Sequence, residues 1–545
     1  GTWLGVAAEP GILIQCGRAS RDALKDESPE RMMALRCRDG SMLWDRKGSY
    51  GGPCMLHGDT IYTSATSNTG AAYSLLTGAP LERPHPLTHL PVPWSYHRRY
   101  GCNAVIASEH LLTFRSGAAG FCDLAGDSGT ANLGGFKSGC TSNLIAADGV
   151  LNAPDYTRTC TCSYQNQTSL ALVHMPDLDL WTANDIERGP GRIVDLALNL
   201  GAPGDHRSAD GVLWFDFPAV GGPSPRLPVT LDDQALRWYR YPTPDFRGAD
   251  AWIAASGVEG DLRLSVDLVT DEERHRHLRV PVAVPADDAE EADGVVAHGS
   301  GDLELVRDAK EQTVGIRFAS LALGPTDPLA AAYLCFTADE ASTEVTEVVI
   351  RAELSGQAVP FGKGPADLTT RALTKAEVRW IVPPWPTAGA ATAAQRSPDV
   401  APLLREVIAQ PGWAPGQAVA FIISGHGRRV ARSADNAAGG AAVLDVWLLK
   451  SAAEVAAEPG VPYRLELLFA EPAATPLVRV FDVLVQGEVA MPGVRLEGPA
   501  RQVIRRELGP LSLHHRLDLE LRACAGSGAP PALCGLHLRA AASPP

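Results

Sequence analysis

Apolar and polar residues alternate along much of this chain, the pattern of strands with one face buried in a sheet. Leu262, Leu264, Val266 and Leu268 alternate with Asp261, Arg263, Ser265 and Asp267. Tyr463, Leu465, Leu467 and Phe469 share one face, and Val478, Val480, Phe481 and Val483 follow after a turn. A strand opens near Ile193, and another covers 213–217 until Pro218 stops it. These strands fall into two stretches, 192–268 and 463–538, and neither holds enough of them to close a sandwich alone. They are expected to co-fold as halves of one body, with an inserted domain between them. The insert has strand patterns of its own at 303–306, 313–318, 331–336, 345–354 and 419–423. It also carries one helix pattern, because Val400, Leu403, Leu404, Val407 and Ile408 recur at helical spacing. Asp399 is the expected N-cap, Pro402 is tolerated in the first turn, and Pro411-Gly412 ends the run.

The first 182 residues carry a degenerate repeat. Residues 34–44 hold small residues, an Asp39-Gly40 turn and then Trp44, and residues 72–78 repeat the theme 38 positions later. A four-stranded propeller blade uses about 40 residues. Trp44 is expected to pack between neighbouring blades. The fold class is therefore all-β: partial β-propeller blades plus two β-sandwich (jelly-roll) domains, one inserted in the other. The expected domains are 1–182 for the blades, 183–279 with 450–545 for the discontinuous sandwich, and 280–449 for the insert.

Three resemblances sharpen this. The turn around Asp39 and Trp44, with strings such as GGPCMLHGDTIYT and YGCNAVIASEHLLTFRSGAAGFCDL, resembles the quinoprotein-like β-propeller repeat. That resemblance implies a scaffold. It also implies more blades than the roughly four that fit here, and hence further sequence upstream. A quinone cofactor belongs to the enzyme branch of such propellers, which needs a ring disulfide of adjacent cysteines; the chain has no adjacent pair. Asn199-Leu200-Gly201, Phe469-Ala470-Glu471 and Phe481-Asp482-Val483 resemble the hallmarks of the malectin-like domain, which implies carbohydrate binding. The insert resembles a jelly-roll module found beside polysaccharide-active domains.

Composition adds limits. The chain has 545 residues with 53 Gly and 42 Pro, which suits short strands joined by turns. A net charge of −15 argues against a nucleic-acid partner. No apolar run approaches the ~18 residues needed to cross a bilayer, so membrane insertion is not expected. Eleven cysteines point to an extracytoplasmic, oxidising location, whether periplasmic, cell-surface or secreted. The disulfide candidates are Cys102, Cys140, Cys160, Cys162, Cys524 and Cys534. Cys160 and Cys162 are expected to pair elsewhere rather than with each other, and Cys524 with Cys534 could close a small ring. Cys335, in a strand pattern, reads as a buried thiol.

Catalytic motifs are missing: there is no G-x-S-x-G elbow, P-loop, HExxH or C-x-x-C. His426, in Ser424-Gly425-His426-Gly427, reads as part of a strand-end turn. His275 and His277 share a strand face that could hold a metal, but a solvated charged edge is the favoured reading. The acidic run with Asp287, Asp288 and Glu290 is a candidate structural calcium site without EF-hand spacing. Sugar binding needs flat aromatic faces with hydrogen-bonding groups at their rim. Trp238, Tyr239 and Tyr241 supply such faces before Pro242, and Asp205 and Arg207 lie in the other long loop of the same half. These five are the candidate ligand-binding residues; the competing reading is that Trp238 and Tyr241 plug the sandwich end. The expected function is non-catalytic binding of a polysaccharide or cell-surface glycan. Two alternatives stand beside it: a tail that tethers a larger enzyme to glycan, and a scaffold for cell-envelope proteins.

Overall fold

The computed structural model describes residues 2–17, 31–48, 53–64, 69–99, 101, 104–133, 143–154, 169–175, 178–186, 188–219, 227–232, 235–475, 477–497 and 499–541. The fold is all-β, built mainly from antiparallel sheets. It divides into two compact units: Gly1–Thr270 with Pro459–Pro545, and Asp271–Glu458.

The first unit opens with four small sheets in chain order. Thr2–Ala7, Ile12–Gly17, Arg31–Arg36 and Met42–Lys47 pair each with the next. Asp39 closes the last turn of this sheet by accepting from the Ser41 N–H at 3.0 Å, and Gly40 takes φ 72° there. The second sheet runs from Met55–His57 to Ser95–His97, with a hairpin of Glu82–Pro84 and Pro91–Pro93 inserted before its last strand. Trp44 joins the first two sheets: its indole N–H donates to Leu75 O at 2.9 Å. A Cβ on Gly78 would lie 2.7 Å from the same ring, so only glycine fits beneath it.

The two distant stretches then share sheets. Asp195–Leu200 pairs antiparallel with Gly535–Ala540, which pairs with Val461–Phe469. Leu213–Phe217 lies parallel beside Asp195–Leu200 in the same six-stranded sheet. In the facing five-stranded sheet Leu262–Asp267 pairs with Arg516–Ala523, which pairs with Val480–Val485. Register follows burial, because a slip of one residue would turn every apolar side chain outward. Leu196, Leu198, Leu465, Leu467, Phe469 and Leu536 meet Leu264, Val266, Phe481, Val483, Leu519 and Leu521 in one core. We call this two-segment sandwich the host. The six-stranded sheet is also covered on its back, where Trp214, Leu468 and Cys534 pack under the short helix Ala251–Ala254. Val478, grouped by pattern with the strand, lies outside it and is exposed, because the ladder begins only at Val480.

The second unit, the guest, holds a six-stranded sheet, a three-stranded sheet of His275–Pro281, Val443–Leu449 and Leu329–Cys335, and one large core. It starts earlier than the pattern suggested. His275–Pro281, assigned by sequence to the host, pairs along its whole length with Val443–Leu449 of the guest. The helix is Ala401–Ile408, and all five of its periodic apolar residues are buried. Val400, not Asp399, occupies the N-cap position. Asp399 still accepts from Ala401 N at 2.9 Å, and equally from Ala332 N, so it ties the helix to the neighbouring strand.

Candidate functional site

The site builds up from one strand opening. Asp195 begins a strand whose next five residues are buried, so only its first side chain is free to face a cleft. Antiparallel pairing sets Arg539 opposite Asp195 and His537 opposite Ala197. His537 Nε2 then lies 2.7 Å from Asp195 Oδ1, and Arg539 Nε lies 3.7 Å from Oδ2. His89, from the second small sheet's excursion, brings its Nε2 to 3.6 Å from the same oxygen. The strand Gly535–Ala540 and a distant hairpin thus converge on the carboxylate that opens an internal strand.

A second carboxylate faces it. Asp127 sits on a turn at φ 49°, which presents both its side chain and its carbonyl. Arg83 Nη1 donates to Asp127 Oδ1 at 2.8 Å, and Arg207 Nη2 donates to Asp127 O at 2.7 Å. Arg207 also donates to Gly211 O at 2.7 Å. Burial makes the Arg207 guanidinium easier to deprotonate than usual, with Asp127 opposing that shift. Nearby, the Ser208 hydroxyl holds the Asp210 carboxyl below the usual carboxylate range.

Between these groups lies a cavity of about 330 Å³, walled on its apolar side by Pro84, Pro86, Ile186, Val212 and Leu213. A second cavity of about 240 Å³ shares Arg83, Asp127 and Asn184 and adds His97 and Asp185, which pair at 2.9 Å. The residues lining the first cavity include no serine, cysteine, threonine, lysine or tyrosine. Guanidinium groups stand beside carboxylates there: Arg83, Asp195, Arg207 and Arg539 are carried by strands, whereas His85, His89, Asp127 and Asp210 come from turns and loops.

Of the five residues singled out for ligand binding, Arg207 reaches this cleft. Asp205 is fully buried behind it. It accepts from Asn184 N at 2.9 Å, Asn184 Nδ2 at 3.0 Å and Asp216 N at 3.0 Å, so it is a structural post. Burial pushes its carboxyl up to about 7. The aromatic run forms no single platform, because successive residues of the strand Arg237–Arg240 point to opposite faces. Tyr239 is buried with its hydroxyl 3.1 Å from Cys534 Sγ. Tyr241 lies against Phe246 under the Arg501 guanidinium. Trp238 packs on the core edge and, with Tyr239, lines a separate shallow groove beside Gly201, Pro218 and Arg240.

The acidic run does not converge either. Asp287 pairs with Arg317, Asp288 accepts from Ala434 N, and Glu290 accepts from Glu304 N and Gln312 Nε2. Each of these carboxylates engages a different partner. No cluster of three or more metal-ligating side chains occurs among the described residues. His275 and His277 do share a face, stacked around Trp447, with His277 Nδ1 3.1 Å from Asp445. The ring expected between Cys524 and Cys534 is not formed: both are free thiols, and Cys524 faces Asp482 while Cys534 faces Tyr239. Cys102, Cys140, Cys160 and Cys162 lie outside the described residues.

Arg83, His89, Asp127, Asp195, His537 and Arg539 were not singled out from sequence. Each reads alone as an ordinary surface charge. Asp195 carried the one available signal, a carboxylate heading an otherwise apolar strand.

No family model and no curated protein matches the chain. Among solved structures it is similar to BamB from Moraxella catarrhalis, at 15% identity over 28% of this chain and 42% of that one, with a TM-score of 0.19. The chain thus spans about two fifths (42%) of that structure's length. PNGase F, a glycosylasparaginase from Flavobacterium meningosepticum, is similar at 9% identity over 50% of this chain and 97% of that one, with a TM-score of 0.16. The ANX2 ectodomain from Arabidopsis thaliana is similar at 10% identity, over 63% and 96%, with a TM-score of 0.14. Scores this low fix neither fold nor function. No helix among the described residues is long and apolar enough to cross a membrane.

Proposed function

We propose that this protein binds glycan without transforming it, outside the cytoplasm, and that the cleft between Asp127 and Asp195 is the binding site. One observation carries the reading: a cavity of about 330 Å³ is lined by three arginines (Arg83, Arg207 and Arg539) and three aspartates (Asp127, Asp195 and Asp210) together with apolar residues. Vicinal hydroxyls of a sugar both donate and accept. A wall bearing both kinds of partner satisfies them, while proline, isoleucine and valine cover the C–H face. The volume falls at the lower end of ligand pockets, about 300–1,000 Å³, so the cleft suits a short terminal segment of a glycan. The four small sheets, read as propeller blades, serve as scaffold, and the eleven cysteines support an extracytoplasmic location.

The test is retention on an array of mixed oligosaccharides. The wild type is expected to be retained on one glycan class. Arg83→Ala with Arg207→Ala should lower retention about tenfold or more, the loss of two charge-assisted hydrogen bonds. Trp238→Ala should leave retention unchanged, because Trp238 lies off the cleft. If the arginine variant binds as well as wild type, the site is wrong. If no sugar is retained even at high concentration, the function is wrong and a protein-docking role takes its place.

A further inference from the structure

Cys16 and Cys54 meet inside the first unit. Cys16 is the last buried position of the strand Ile12–Gly17, on the face that also buries Ile12 and Ile14. Cys54 stands one residue before the strand Met55–His57 of the next sheet. Their sulfurs lie 3.5 Å apart. Both are almost fully buried, at 1% and 2% exposure, in the apolar layer with Met32, Ala34, Ile61 and Leu75. The two thiols, from different sheets, are in direct contact, and their sulfurs must approach from 3.5 Å to the S–S bond length of about 2.0 Å.

We propose that Cys16 and Cys54 form a disulfide that staples the first small sheet to the second. The reaction is a thiol–disulfide exchange with a disulfide-bearing oxidant, either a dithiol oxidoreductase or a small-molecule disulfide. One cysteine loses a proton and its thiolate attacks the oxidant, giving a mixed disulfide and releasing one thiolate of the oxidant. The second cysteine loses a proton and attacks the protein sulfur of that mixed disulfide, releasing the other thiolate. The protein gives up two electrons and two protons, and the oxidant leaves reduced, as a dithiol from an oxidoreductase or as two thiols from a small-molecule disulfide.

The bond forms before the sheets close. In the folded unit both thiols are almost fully buried away from a soluble oxidant, and the contact with Cys16 together with burial pushes the Cys54 thiol above its ordinary range, so Cys54 does not supply the attacking thiolate there. Once formed, the bond is shielded from reductant for the same reason. This staple is distinct from every pairing expected from sequence, and it stands whether or not the cleft binds glycan.

The test folds the whole chain in a buffer of reduced and oxidised glutathione, alkylates it in denaturant without reductant, and maps the peptides by mass spectrometry. The expected result is a Cys16 peptide linked to a Cys54 peptide, both free of alkyl label and both released by reductant. Cys16→Ala should leave Cys54 fully alkylated. Full alkylation of either residue in the wild type, or a link from either one to a different cysteine, overturns the proposal. The mapping is read on the wild type, so it does not depend on a variant folding. A second readout is thermal: reducing the unfolded chain and refolding it without oxidant should lower the melting temperature of the unit by about 5 °C. An unchanged transition in linked and unlinked protein contradicts the staple.

Discussion

Host and guest solve one problem, closing a sandwich core, at very different distances along the chain. In the host the pair Asp195 and His537 meets across 342 residues. In the guest the corresponding pair His277 and Asp445 meets across 168. The guest also returns the chain to where it entered: Lys450 N donates to Arg274 O at 3.1 Å, and Arg276 pairs with Glu454 at 3.5 Å. A folded guest is therefore a short bridge between Thr270 and Pro459, which removes most of the loop-closure entropy the host would otherwise face. The difference teaches why an insertion this long is compatible with a two-segment sheet. The guest is built from one contiguous segment, whereas the host's ladders draw strands from both of its segments.

Each body also fixes its core with a buried arginine, and this gives the sharpest way to break the comparison. In the host, Arg479 is fully buried. It donates to Glu471 at 2.7 and 3.0 Å and to Glu259 at 2.5 Å, and Glu259 in turn accepts from Arg237. Glu259 belongs to the first segment and Arg479 to the second, so the cluster pins the halves together. Removing the arginine leaves buried Glu471 without a counter-charge and leaves Glu259 with Arg237 alone. Arg479→Ala should cost the host about 3–5 kcal/mol in urea unfolding, with the guest transition unmoved. Arg317→Ala, which frees buried Asp287, should do the reverse and lower the guest transition alone. If either variant shifts both transitions equally, the two bodies do not fold as separate units.

A smaller effect separates them by pH. Asp205 titrates near 7 in the folded host, raised by burial from an ordinary value near 4. Between about pH 4 and 7 the folded chain keeps a proton that the unfolded chain has released. Host stability should therefore fall as pH rises through this window, by roughly 4 kcal/mol in all and somewhat less between pH 5 and 8, and level off above it. Urea midpoints at pH 5 and pH 8 measure the slope, and Asp205→Asn should flatten it. A host that grows more stable with pH in this window, with Asp205→Asn indistinguishable, would show that Asp205 is already ionised.

The strands were legible because burial writes a period of two into the sequence. Leu262, Leu264 and Val266, or Tyr463 to Phe469, announce one buried face wherever the partner strand lies. The helix was legible for the same reason at period 3.6, and its cap slipped by one residue because Asp399 also serves Ala332. The boundary of the guest was not legible: nothing in His275–Pro281 says which sheet its backbone will join. The cleft was least legible. Arg83, Asp127, Asp195 and Arg539 become a site only when four separate segments converge, and none is locally unusual. The aromatic run shows the limit of a local reading: Trp238 and Tyr239 are neighbours on a strand and point to opposite faces, whereas Tyr239 and Tyr241 come together, with ring centroids 5.9 Å apart.

Amide hydrogen exchange tests the central claim most directly, that two distant segments form one cooperative sheet which carries the cleft. Peptides covering Asp195–Leu200 and Gly535–Ala540 should show the same high protection and lose it together as urea is raised, ahead of or apart from the guest strands. Exchange of Gly535–Ala540 at much lower denaturant, with Asp195–Leu200 still protected, would contradict the shared ladder and remove the cleft with it.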